Sequence, residues 1–129
     1  MKILLNSISL LNQRTGIGEY TYNIFKGLSN YDQIDIDLFD GNKIIEDFNH
    51  RLKFPKVIKN AQSFIRDRIP FSYESARYIR QINFNRAVKK NSYSIYHEPN
   101  FISFNSNIPT VLNIHDLSWI TYPDSHPAR

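Results

Sequence analysis

Thr15-Gly16-Ile17-Gly18-Glu19-Tyr20 follows a short apolar run, Ile3-Leu4-Leu5, and opens a segment with helical periodicity. Strand, glycine turn and helix start, in that order, gather free backbone N–H groups and the positive end of a helix dipole at one spot. Phosphates and other oxygen-rich groups bind such a spot without any charged side chain. The two glycines, lacking Cβ, are expected to let the backbone turn sharply and a ligand come close. A glycine pair serves equally well as a plain turn before a helix, so its weight depends on what else the chain directs to the same place.

Outward from this stretch, Lys2 to Ser7 reads as the first strand, its continuous apolar run suiting a strand covered on both faces. The helix is expected to begin near Gly18, with Ile17, Tyr20, Ile24 and Leu28 on one face, Phe25 beside them, and an end at Ser29-Asn30. Ile34, Ile36 and Leu38 alternate with Asp35 and Asp37, which predicts a second strand with one polar face. Residues 43 to 91 read as helical, punctuated by Pro55 and Pro70. Ile44, Ile45, Phe48 and Leu52 make one stripe; Val57, Ile58, Ala61, Phe64 and Ile65 make another. A third helix is predicted from Tyr73 to Lys90, with Ala76, Ile79 and Ile82 inward. Two further strands follow, Tyr93 to His97 and Thr110 to Ile114.

Four strands with helical crossovers predict an α/β fold, a Rossmann-like parallel sheet with helices on both faces. The expected strand order is 2-1-3-4, with the first helix and the long helical crossover on opposite faces. Ligands of open α/β sheets bind outside the carboxyl ends of the strands where the order reverses. That crevice is expected to receive the Gly16–Gly18 loop, His97 and His115.

The bulk properties agree with a folded domain. The chain has 129 residues, 41% hydrophobic and 14% aromatic, enough for a real core. Without cysteine there are no disulfides and no thiolate metal sites. Only three strongly apolar residues follow Met1-Lys2, too few for a signal-peptide core, and no apolar run approaches a membrane span. A soluble, cytoplasmic chain is the expectation. Net charge is +4, but residues 51 to 90 concentrate it: 11 of the 16 Lys and Arg stand there against Asp67 and Glu74. A solvated helical face explains such a run. So does peripheral docking of residues 51 to 90 on an anionic membrane, at its inner face. No recognition module accompanies the charge, so nucleic acid is not an expected partner.

Several chemistries can be weighed on spacing. Gly16-x-Gly18-x-x puts Thr21 where a dinucleotide fingerprint wants a small third residue, with Asp40 as the ribose acid. The turn from Ser7 to Gly16 is too long for that fingerprint and Thr21 is a poor glycine substitute, which disfavours NAD. His115-Asp116 ends a strand and either faces the crevice or is a hydrogen-bonded histidine closing the strand; His97-Glu98-Pro99-Asn100 has the same two readings. Neither pair has metal-ligand spacing, and no metal or other cofactor is predicted. There is no nucleophile elbow and no Walker loop.

Thr15 to Thr21 resembles the loop that opens the N-terminal domain of retaining GT-B glycosyltransferases of family GT4. A second set of blocks is similar to the mannosyl- and rhamnosyltransferase-like members that build bacterial surface polysaccharides. It comprises Tyr96-His97-Glu98-Pro99-Asn100, Ile108-Pro109-Thr110-Val111, Ile114-His115-Asp116-Leu117-Ser118, Tyr122-Pro123 and His126-Pro127. Glu19 departs from the pattern, standing where many relatives carry a basic residue.

The resemblance implies an N-terminal, acceptor-side domain over residues 1–129, truncated and lacking the C-terminal nucleotide-sugar domain. It implies transfer of a hexose from a nucleotide sugar to a glycan or lipid-linked acceptor, with these residues alone inactive. Gly16, Ile17 and Gly18 would offer backbone amides to the donor pyrophosphate, and His115 would be the catalytic residue, against the donor sugar. His97, Asn100 and Asp116 would border the acceptor or the interdomain cleft. Pairing with a C-terminal half, or self-association, would cover the exposed side of the domain. The other function class is a non-catalytic α/β binding or interaction module that keeps these motifs.

Overall fold

The computed structural model describes residues 1–11, 16–45 and 72–125. Its strands are β1 (Lys2–Asn6), β2 (Asp35–Phe39), β3 (Ile44–Ile45), β4 (Ile95–Glu98) and β5 (Thr110–Leu112). Its helices are α1 (Gly16–Leu28), α2 (Ser72–Lys90) and the single-turn α3 (Ser118–Thr121), with 3-10 turns at Ile8–Leu10 and Pro123–Ser125. The strands form one five-stranded sheet in the order β3-β2-β1-β4-β5. The four expected strands lie in the expected order and are parallel throughout.

The fifth strand corrects the reading. Ile44 and Ile45, assigned above to a helical stripe, pair antiparallel with Phe39 and Leu38, so the sheet is mixed. The turn between them explains why: the Asp40 Oδ1 accepts from the backbone N–H of Asn42 (2.7 Å) and Lys43 (2.8 Å), and Gly41 takes φ 89°. An aspartate bonding its own backbone, then a residue in left-handed conformation, reverses the chain into a hairpin rather than launching a helix. Any Cβ at Gly41 would lie 3.1 Å from Ile8 Cδ1, so glycine is required there twice over. The stripes through Phe48, Leu52 and Val57 to Ile65 lie outside the described residues.

Register assigns the two faces of the sheet. Leu4, Tyr96 and Phe39 share one face with Asn6 and Glu98, and α2 lies on it, packing Phe84 and Ala87 into their cluster together with Phe104. Four aromatic rings make this core, Phe84 standing 4.7 Å from Tyr96, 5.1 Å from Phe104 and 5.6 Å from Phe39. Each such fully buried side chain contributes about 1.5–3 kcal/mol. Helix α2 has the predicted extent but is turned: Ile79 is exposed, and Phe84 with Ala87 takes the inward position. Its charged and apolar residues are interspersed around the helix, so periodicity gave a poor guide to the buried side.

Ile3, Leu5 and Leu38 are buried on the other face, the side of the β1–α1–β2 crossover. Gly18 and Thr21 are the buried residues of α1; the stripe expected to face inward, Ile17, Tyr20, Ile24 and Leu28, is only half-buried around them. The Thr21 hydroxyl donates to Ile17 carbonyl (2.8 Å) and shares a hydrogen bond with Ser9 (3.0 Å), which ties the helix to the chain leaving β1. At the opposite end of the sheet Asp37, on the polar face expected of β2, is buried and satisfied by Lys2 Nζ (3.1 Å) and the Tyr93 hydroxyl (2.7 Å).

Candidate functional site

At the carboxyl ends of β1 and β4 the chain leaves both strands in loops, and the order of connections reverses between them. A cleft of about 250 Å³ opens there on the α2 side of the sheet. Asn6 and Glu98 form its floor, Asn100 and Ser103 one polar wall, and Arg77 with Arg80 of α2 the basic wall. Ile8, Pro99 and Phe104 supply apolar surface.

Glu98 is the hinge of this floor. It sits one strand over from Asn6 on the same face, 1% exposed. Its Oε2 accepts from Asn6 Nδ2 (2.6 Å) and from the Tyr96 hydroxyl (2.5 Å), and its Oε1 accepts from the Asn100 N–H (3.0 Å). Asn6 in turn accepts from the Ile8 N–H through Oδ1 (3.0 Å). One buried carboxylate therefore fixes both loops that leave the sheet. Burial pushes its pKa above the ordinary carboxylate value, against the lowering effect of its three donors. Burial first, and then the Glu98 charge, push the Tyr96 phenol up strongly, so it remains a donor.

His97 and His115 belong to the opposite side. His97 alternates with Tyr96 and Glu98 and donates from Nε2 to Asn113 Oδ1 (2.7 Å). His115 lies two residues beyond Asn113, and its Nε2 donates to the Pro99 carbonyl at 2.7 Å. A carbonyl can only accept, so Nε2 carries a proton. The Tyr20 ring of α1 meets the His115 ring edge-on, centroids 5.0 Å apart. The helix that begins with the glycines thus reaches the loop after β5. Pro99 is common to both sides, lining the cleft while its carbonyl accepts from His115.

The glycines differ from expectation in conformation. Gly16 is the first residue of α1 and Gly18 lies in its first turn, so among the described glycines it is Gly41 that carries positive φ. Space around Gly16 is open, with nothing within 4 Å of a Cβ placed there. The backbone N–H groups of Gly16, Ile17 and Gly18 are those of the first helical turn, which have no intrahelical acceptor. Asp116 turns its carboxylate back on the chain, accepting from the Ser118 N–H (2.6 Å) and hydroxyl (2.8 Å) at the start of α3. Of the named residues, the structure joins α1 to His115 on one side and sets Asn100 on the other. His97 is spent on Asn113.

Compared with known proteins, the chain matches no family model, no curated protein and no solved structure. Among the described residues no three His, Asp or Glu side chains gather as a metal-ligating group, and no helix is long and apolar enough to cross a membrane. Sequence reasoning missed Asn6, Glu98, Arg77 and Arg80 as cleft residues. Glu98 had a signal: a carboxylate on the same strand face as Tyr96, next to the apolar β1, needs a buried donor set. The two arginines were hidden in a general excess of charge.

Proposed function

We propose that this chain forms the acceptor-side part of a retaining GT-B glycosyltransferase, transferring a hexose from a nucleotide sugar to a glycan or lipid-linked acceptor. The observation that carries the reading is the Tyr20–His115 contact, which brings together the two sequence blocks that resemble such enzymes. A helix start whose amides have no intrahelical acceptor then lies on the same helix as the ring contact to His115.

The chemistry asked of this arrangement is modest. The bond from the sugar C1 to the donor phosphate breaks, the acceptor oxygen bonds to C1 on the same face, and the acceptor proton passes to the departing phosphate oxygen. The oxocarbenium-like transition state develops negative charge on that phosphate, and preorganised N–H dipoles stabilise it without reorganising. The Gly16–Gly18 amides supply one side of the charge stabilisation, and a second, donor-binding domain supplies the rest.

The test is transfer from a panel of nucleotide sugars by a protein carrying this domain together with a donor-binding domain. The expected products retain the anomeric configuration of the donor, and the 129 residues alone give none, since losing even one such donor group costs about 100- to 1000-fold in rate. Binding of nucleotide sugars without turnover by the two-domain protein would favour the non-catalytic module. Turnover by the 129 residues alone would contradict the two-domain arrangement.

A further inference from the structure

Arg77 and Arg80 stand three residues apart on α2, on neighbouring positions of its surface, and both line the cleft at the carboxyl ends of β1 and β4. The ion pairs among the described residues are those of Lys2, so neither arginine is paired with an acid among them. The nearest acid in the cleft is Glu98, and its two oxygens are already taken by Asn6, Tyr96 and the Asn100 N–H. Two uncommitted guanidinium groups over a pocket floor are unlike the solvated lysines of a general basic surface. A guanidinium fork matches the planar or tetrahedral oxygens of a carboxylate or phosphate.

The rest of the lining describes the remainder of the ligand. Ser9, Asn100 and Ser103 add polar side chains to the lining, and Ile8 and Phe104 add apolar contact. At about 250 Å³ the cleft is small, of a size for one ring and its substituent.

We propose that this cleft is a binding site for an acidic sugar unit, a monosaccharide bearing a phosphate or a carboxylate, with Arg77 and Arg80 holding the oxyanion. The inference needs no transfer chemistry and goes beyond the reading given above. If that reading also holds, the acceptor ends in a charged sugar, on the opposite side of Pro99 from the His115 side.

Calorimetry on the chain with three probes decides it: a hexose 6-phosphate, a hexuronate and the neutral hexose. The site is supported when either acid binds, the neutral hexose does not, and Arg80→Ala weakens the acid by about ten- to a hundredfold. The two acid arms distinguish phosphate from carboxylate. Arg80→Lys keeps the charge without the fork and is expected to recover only part of the affinity. Arg86→Ala, on the same helix but outside this cleft, is expected to leave binding unchanged. Equal affinity for neutral and acidic sugars, no binding of any, or equal loss in the Arg86 variant would each overturn the assignment. None of these outcomes depends on nucleotide-sugar turnover, so the two proposals fail separately.

Discussion

The ring of Tyr20, in the second turn of α1, stands edge-on to the ring of His115, after β5, with centroids 5.0 Å apart. His115 is held from its other side by the Pro99 carbonyl. A residue from the first crossover and a residue from the loop after the last parallel strand are thereby in contact at the carboxyl end of the sheet, where α/β folds bind their ligands.

This contact predicts a kinetic effect separable from folding. In the proposed two-domain enzyme, Tyr20→Ala lets His115 move and is expected to lower kcat by up to about 100-fold, as for misplacement of a site residue. The edge-to-face pair itself is worth about 1 kcal/mol, and lost burial of the half-buried ring adds to the cost in stability. A Cβ at Gly16 meets nothing within 4 Å, so Gly16→Val is expected to keep the fold yet obstruct close approach of a phosphate to the helix start and raise the KM for the donor. Unchanged kinetics in both folded variants would remove α1 from the site.

Glu98 gives a prediction in stability and pH. Replacing it by alanine strands Asn6 Nδ2 and the Tyr96 hydroxyl in a buried floor, at about 1–3 kcal/mol for each unsatisfied group. Because its folded pKa is raised, the native state holds the proton more tightly than the unfolded chain. Its contribution is therefore fully present below the unfolded carboxylate pKa and is lost as pH rises through the raised value. Urea midpoints measured upward from pH 4 should fall with a slope that Glu98→Gln lacks. Parallel curves for wild type and variant would show that Glu98 does not titrate in the folded protein with a raised pKa.

The far edge of the sheet predicts association. Val111 and Leu112 of β5 are 47% and 43% exposed, and Ile114, Leu117 and Ile120 continue the apolar surface. Parallel strands of this type are normally covered on both faces, and an uncovered apolar edge invites pairing. Sedimentation of the 129-residue chain is expected to show concentration-dependent self-association, weakened by Val111→Lys, which charges the edge. A monomer at all concentrations would show that this surface tolerates water.

The order of the four parallel strands was legible because β1 is continuously apolar and long segments separate the strands, with α1 between β1 and β2 and α2 before β4. Ile44 and Ile45 were misread because two apolar residues fit a helical stripe as well as a strand; Asp40 and Gly41, the turn that decides the matter, act through backbone geometry. The orientation of α2 was not legible, since Ile79 and Phe84 are equally apolar and tertiary packing alone selects Phe84. At the site, histidines announced themselves by residue type, and His115 found a place beside α1. His97 did not, because an alternating strand puts it on the face away from the cleft, paired with Asn113. Glu98 and the two arginines form a site only once α2 lies across the ends of β1 and β4.

The central claim is that the start of α1 and His115 receive the pyrophosphate and sugar of a nucleotide sugar. The most direct measurement is a ¹H–¹⁵N correlation spectrum of the 129-residue chain titrated with nucleotide sugars. The account predicts that the amides of Gly16, Ile17 and Gly18 and the ring of His115 shift together with a common dissociation constant. Shifts confined to other residues, with these four unmoved at saturation, would contradict it.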